Sequence, residues 1–144
     1  MSKIAPRLQT RNFRNSLGAW FSEFAYHGEM KIFTVVGFWK FKSNRVRRED
    51  GEWLIDQLMG GTMAFSENGQ AVLFVRTEQG PWGYSGAYRI EEDKMMIQVE
   101  TSSADGLDGT MLDRRIEVIN SDEFKFTGLE SHTGRQFETI FVRA

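Results

Sequence analysis

Arg114 is the residue whose position asks for the most chemistry. In the stretch LDRRIEV, alternation sets Leu112, Arg114, Ile116 and Val118 on one face and Asp113, Arg115 and Glu117 on the other. A guanidinium on an apolar face must be paired or must meet an anion. Arg114 can therefore hold a carboxylate, a phenolate or an enolate; a bulge in the strand would instead turn it out beside Arg115. Tyr84 and Tyr88 share a face with Trp82, Gly86 and Ile90. Their hydroxyls can bind or donate protons, or they are core residues with a hydroxyl at the rim. His132, in Glu130-Ser131-His132-Thr133-Gly134, has the pKa range of a general base near neutral pH, or is simply solvated. His27 has the same two readings, and its charge would suit a helix C-terminus.

Other chemistries are excluded. The chain has no Cys, which rules out disulfides, thiolate-bound metals and a cysteine nucleophile, and its two His leave little for a histidine metal site. The glycines at 60–61 and 102–109 lack P-loop spacing. Asp105 and Asp108 do not fill a calcium-loop pattern, and no nucleophile triad is legible. No cofactor and no metal are expected.

The elements that must position these residues read mainly as strands. With 144 residues the chain is sized for one domain, 1–144. Aromatic residues make up 13%, and fourteen Gly stand against two Pro, a balance that favours strands and tight turns over a helix bundle. Phe13, Leu17, Trp20 and Phe24 recur at helical spacing, with Gly28 as a stop, so residues 1–30 are predicted to carry a short helix whose aromatic face packs on the barrel or on a second copy. From there the period becomes two. Strands are predicted over 33–43, 53–59 continuing into 61–66, 70–77, 82–90, 95–101, 110–119, 123–129 and 135–143. Gly60-Gly61 reads as a bulge or sharp bend within one long strand.

The connections alternate in character. Those at 67–69, 91–94 and 120–122 are short and polar, whereas 44–52, 78–81, 102–109 and 130–134 are longer or Gly-rich. In an up-and-down meander alternate connections share an end, so this pattern describes a barrel with a closed floor and an open mouth. The predicted fold is all-β, an eight-stranded antiparallel up-and-down barrel over 31–144; a β-sandwich of the same strands is the alternative.

Gly37-Phe38-Trp39, opening the first long strand, resembles the Gly-x-Trp signature of lipocalins and the wider calycin group. The chain is similar to bacterial lipocalin-like proteins in GFWKF, in GYSGAYRI at mid-chain, and in a last strand that ends in Arg143. The resemblance implies a lipocalin-like barrel whose floor is sealed by Arg143 lying over Trp39. Secreted lipocalins differ from this chain in their signal peptide and Cys pair.

Alternation also assigns the interior. Val35, Gly37, Trp39 and Phe41 face in, with Lys40 and Lys42 in water; Trp53, Ile55, Gln57 and Met59, then Phe124 and Phe126, and Phe137, Thr139, Phe141 and Arg143 complete the wall. The expected ligand contacts are Trp53, Gln57, Trp82, Tyr84, Tyr88, Arg114, Phe126 and Phe137. Such an interior suits a small hydrophobic molecule, aromatic or polyene-like. The alternative is a cofactor-independent isomerase, cyclase or lyase using Arg114, Tyr84 and His132. A third class is an interaction module built on 40–48. Residues 1–48 hold ten basic side chains against two acidic, and the remainder eight against eighteen. KFKSNRVRR can mark a nucleic-acid footprint, but at a pI near 5.7 the basic third is expected to lie against the acidic rest, with no nucleic-acid partner. A homodimer through the N-terminal helix is the other partner considered. No apolar run approaches a membrane span or a secretion signal, so a cytoplasmic location is expected.

Overall fold

Segments that alternate apolar and polar side chains can bury one face only by lying beside one another. In the computed structural model, which describes residues 11–14, 20–26, 28–55, 60–104, 106–130 and 133–144, they do so throughout. Three strands come first, β1 (Arg11–Arg14), β2 (Trp20–Tyr26) and β3 (Glu29–Phe33), paired in that order as a small antiparallel sheet. They are followed by β4 (Gly37–Arg47), β5 (Trp53–Ile55), β6 (Gly60–Phe65), β7 (Gln70–Thr77), β8 (Gly80–Glu91), β9 (Lys94–Ser102), β10 (Met111–Asn120), β11 (Glu123–Leu129) and β12 (Gln136–Arg143). β4 and β6 to β12 pair in sequence, and β12 returns to β4, closing an eight-stranded antiparallel barrel.

No part of the predicted N-terminal helix is found among the described residues. Phe13 lies in β1, Trp20 and Phe24 lie in β2, and Leu17 falls outside the described residues, among which there is no helix. Trp20–Tyr26 satisfies a two-residue period as well as a helical one. A short apolar run of this kind is decided by its neighbours, and here β3 supplies a strand partner from Ser22 opposite Phe33 to Tyr26 opposite Glu29. A dimer surface on that helix therefore has no helix among the described residues to carry it.

β5 and β6 lie along one edge of β4, Trp53–Ile55 against its end and Gly60–Phe65 against its start. Both described parts of the predicted long strand, 53–55 and 60–65, therefore pair with β4, and 56–59 lie outside the described residues. The loops fall at the expected ends. Turns 66–69, 92–93 and 121–122 lie beside the start of β4 and the end of β12, and 48–52, 78–79 and the described residues of 103–110 and 130–135 lie at the opposite end. The β7–β8 connection is only Glu78-Gln79, shorter than the sequence suggested, because β8 already begins at Gly80.

The floor is a cluster of rings. Phe33, Trp39 and Phe124 are fully buried, and the Trp39 ring meets Phe124 edge-on at 4.6 Å. The indole N–H of Trp39 donates to the Val35 carbonyl at 2.7 Å. Arg143, directly opposite Trp39 in the register, stands 4.1 Å above its ring. The guanidinium donates to the carbonyls of Val36 (3.0 Å), Thr34 (2.9 Å) and Ser121 (3.2 Å), and its Nε lies 3.4 Å from Asp122. Gly37 makes this possible: a Cβ there would sit 3.0 Å from the guanidinium, and its φ of +127° suits glycine alone.

The outer wall pairs opposite charges across strands. Lys42 meets Glu123 at 3.2 Å, Arg45 meets Glu138, and Lys125 reaches Glu117 (3.5 Å) and Glu138 (3.8 Å). Part of the basic first third is thereby set against acids from the other side of the seam. These exposed pairs each contribute little to stability, but they set the character of the surface.

Candidate functional site

Towards the mouth end a cavity of about 760 Å³ opens. Its wall is mostly apolar: Phe41, Met63, Leu73, Val75, Trp82, Leu107, Leu112, Phe126, Phe137 and Phe141 line it, with Asn44, Thr77, Gln79, Tyr84, Arg114, Glu130 and Thr139 as the polar members. Most of these side chains follow from strand alternation. Asn44 follows from a bulge. Between β4 and β12 the register slips by one residue, so that Phe41 faces Phe141 but Ser43 faces Ile140. Past the slip the even-numbered positions of β4 point inward, and Asn44 there accepts a hydrogen bond from the buried Thr139 hydroxyl.

Arg114 lines the cavity, half-buried, on the inward phase of β10. Its guanidinium lies 4.7 Å from the Phe137 ring and donates one N–H to the Asp113 carbonyl at 3.0 Å. Gly128, on the strand between, leaves the room: a Cβ there would fall 3.1 Å from both the guanidinium and the Phe137 ring. Among the described residues no carboxylate lies within ion-pair distance of Arg114. Burial lowers its pKa from the ordinary arginine value, opposed by Tyr84 and then Asp113.

Tyr84 projects into the same space from β8 and is 8% exposed. Its hydroxyl has no hydrogen-bond partner among the described residues. Burial pushes its pKa up to about 12, with Arg114 pulling the other way, so at neutral pH it is a protonated donor. A phenol whose folded-state pKa exceeds the unfolded one favours folding below pH about 10 and loses that advantage as pH rises towards 12. Spectrophotometric titration is expected to show a tyrosine ionising near pH 12, and Tyr84→Phe to remove that step; a Tyr84→Phe titration that keeps it would contradict the placement.

Trp82, Tyr84, Arg114, Phe126 and Phe137, all expected as contacts, come together around this cavity. Two others do not. Trp53 stands outside, its ring 4.3 Å from the Arg45 guanidinium and 5.7 Å from that of Arg47. The β4 bulge is the reason: it turns Arg45 and Arg47 outward, and their pairing partners Ile55 and Trp53 turn with them, leaving Ile55 79% exposed. Tyr88 faces inward but at the floor, with its ring 5.1 Å from Phe65 and its hydroxyl donating to the Ser66 carbonyl at 2.7 Å. Gln57, His132 and His27 lie outside the described residues.

Sequence reasoning missed Met63, Leu73 and Val75. In QAVLFVRT both faces are apolar, since Val72 and Phe74 are also hydrophobic yet half exposed on the outside. Alternation is silent in such a strand. The pairing of Leu73 with Met63 and Tyr84 was the missing signal. Among the described residues no cluster of His, Asp and Glu could hold a metal ion, and no helix is long and apolar enough to cross a membrane.

The architecture is similar to that of a redesigned β-barrel, 18% identical, with a TM-score of 0.50 over 76% of this chain and 91% of that one. A de novo designed fluorescence-activating β-barrel is 20% identical, with a TM-score of 0.47 over 76% of this chain and 93% of the other. No family model and no curated protein matches the chain.

Proposed function

We propose that this protein is a lipocalin-like barrel that binds a small hydrophobic molecule, aromatic or polyene-like, in its mouth-side cavity. The cavity carries the reading. At about 760 Å³ it lies within the range of about 300–1,000 Å³ typical of small-molecule sites, and its wall is apolar with a few convergent polar groups. The lipocalin-like assignment draws on the floor, where the Gly-x-Trp segment and Arg143 meet in one stacked, hydrogen-bonded plug. The charged pairs on the outer wall favour contact with water over contact with lipid.

Proton-transfer catalysis is a second reading, and its supporting observation is Tyr84 beside Arg114. A protonated phenol and a guanidinium could steady a developing enolate, but such a reaction also needs a base. Glu130, the one carboxylate among the described lining residues, accepts a hydrogen bond from the Thr133 hydroxyl at 2.7 Å, and no hydrogen bond or ion pair among the described residues ties it to Tyr84 or Arg114. Binding is therefore the leading function.

Nile red, a neutral dye that brightens in apolar surroundings, tests it. The parent protein is expected to bind the dye in the micromolar range or tighter. Leu73→Trp, which places a large ring in the cavity, is expected to weaken that binding at least about tenfold, equivalent to about 1.4 kcal/mol, while circular dichroism stays unchanged. Equal binding by both proteins would place the dye elsewhere.

A further inference from the structure

The cavity wall contains a polar arrangement that an apolar ligand alone would leave unused. Arg114, Gly128 and Phe137 sit side by side on β10, β11 and β12, Gly128 directly opposite Phe137. The glycine leaves a trough, and the Arg114 guanidinium occupies it, laid against the Phe137 ring at 4.7 Å. Backing by a ring and a trough fixes the plane of the guanidinium. Of its five N–H groups, the Asp113 carbonyl takes one, and no acid among the described residues neutralises the charge. Tyr84 adds a hydroxyl, nine-tenths buried and without a hydrogen-bond partner among the described residues. Leaving such donors unsatisfied in an apolar wall is costly.

The geometry points to a ligand with an apolar, aromatic or polyene body ending in a single carboxylate, which accepts hydrogen bonds from Arg114 and from the Tyr84 hydroxyl. The inference rests on the reading that the cavity binds a hydrophobic molecule, and it adds the headgroup. A carboxylate fits better than a phenolate or an enolate because it brings two oxygens, enough for two parallel guanidinium N–H bonds and the phenol at once. A phosphate monoester fits worse, because Arg114 is the only cation among the described lining residues and a dianion would remain half neutralised. Tyr84 stays protonated throughout the physiological range and so donates rather than repels.

Parinaric acid, a fluorescent polyene carboxylate, and its methyl ester are the test probes, with Nile red as the control for the cavity itself. The parent is expected to bind the acid about ten- to a hundredfold more tightly than the ester, the range of a charge-assisted contact. Arg114→Met is expected to abolish the preference, so that the variant binds the acid no more tightly than it binds the ester. Tyr84→Phe is expected to produce a smaller loss, confined to the acid. Arg114→Gln, which keeps donors but not charge, reports the same loss should the methionine variant fail to fold; the acid–ester comparison in the parent needs no variant at all. Equal affinity of the parent for acid and ester overturns the inference. So does a parent that binds Nile red but neither parinaric probe, which leaves the apolar-cavity reading standing. Failure of all three probes removes that reading as well.

Discussion

Trp39→Ala is expected to lower the free energy of unfolding by about 3–5 kcal/mol, the range for a large aromatic side chain deleted from a packed core. Trp39 is fully buried and central to the floor, touching Phe33 and Phe124 through ring contacts at 5.8 and 4.6 Å. Its removal also strips the surface against which Arg143 lies. The guanidinium keeps its carbonyl partners, so the loss should come from the cavity and not from a stranded charge. Urea denaturation measures it through the shift in midpoint. A loss below about 1 kcal/mol would contradict the packing described.

Gly86→Ala is expected to cost as much as the upper end of the range for overpacking, about 3 kcal/mol, or more. A Cβ at this position would lie 2.0 Å from the Gln98 carbonyl oxygen and 3.0 Å from the Val99 Cα. These are backbone atoms of the paired strand, and they cannot move aside without parting β8 from β9. The position is also where the register between those strands slips, between Ser85 and Gly86. The extra residue at the slip, Glu100, lies on β9, so Gly86 sits across from the bulge, two residues from Tyr84 in the cavity wall. Gly86→Ala should therefore reduce Nile red binding together with stability. A thermal midpoint equal to that of the parent would show that β8 and β9 are not so closely approached.

What the sequence could show follows from what strand geometry conserves. From Gln70 onward, with the exception of the start of β8, strand ends lie within a residue or so of their predicted positions, because polar turns bound clear alternations. The plug of Trp39 and Arg143 was legible because both lie on inward phases of strands that closure must join. Phase was lost past the bulge in β4. The slip near Ser43 hid Asn44 from the interior list and put Trp53 on it wrongly, since a shift of one residue inverts every side chain beyond it. The N-terminal segment was ambiguous for a different reason: Phe13, Trp20 and Phe24, at helical spacing, also fit strands, and for the described residues only the pairing of β2 with β1 and β3 distinguishes the two. Arg114 had two open readings in sequence, inside or outside. No bulge interrupts β10 between Met111 and Arg115 on its β9 side, so it keeps the inward phase.

A mouth-side cavity that binds an apolar molecule must hold that molecule inside the barrel. A crystal structure of the protein with Nile red tests it most directly. Dye density is expected inside the barrel, in contact with Leu73, Trp82, Phe126 and Phe137 and above the ring cluster of the floor. Dye seated on the outer wall against the exposed Phe38, Val72 and Phe74, with the barrel interior closed by its own side chains, would contradict it.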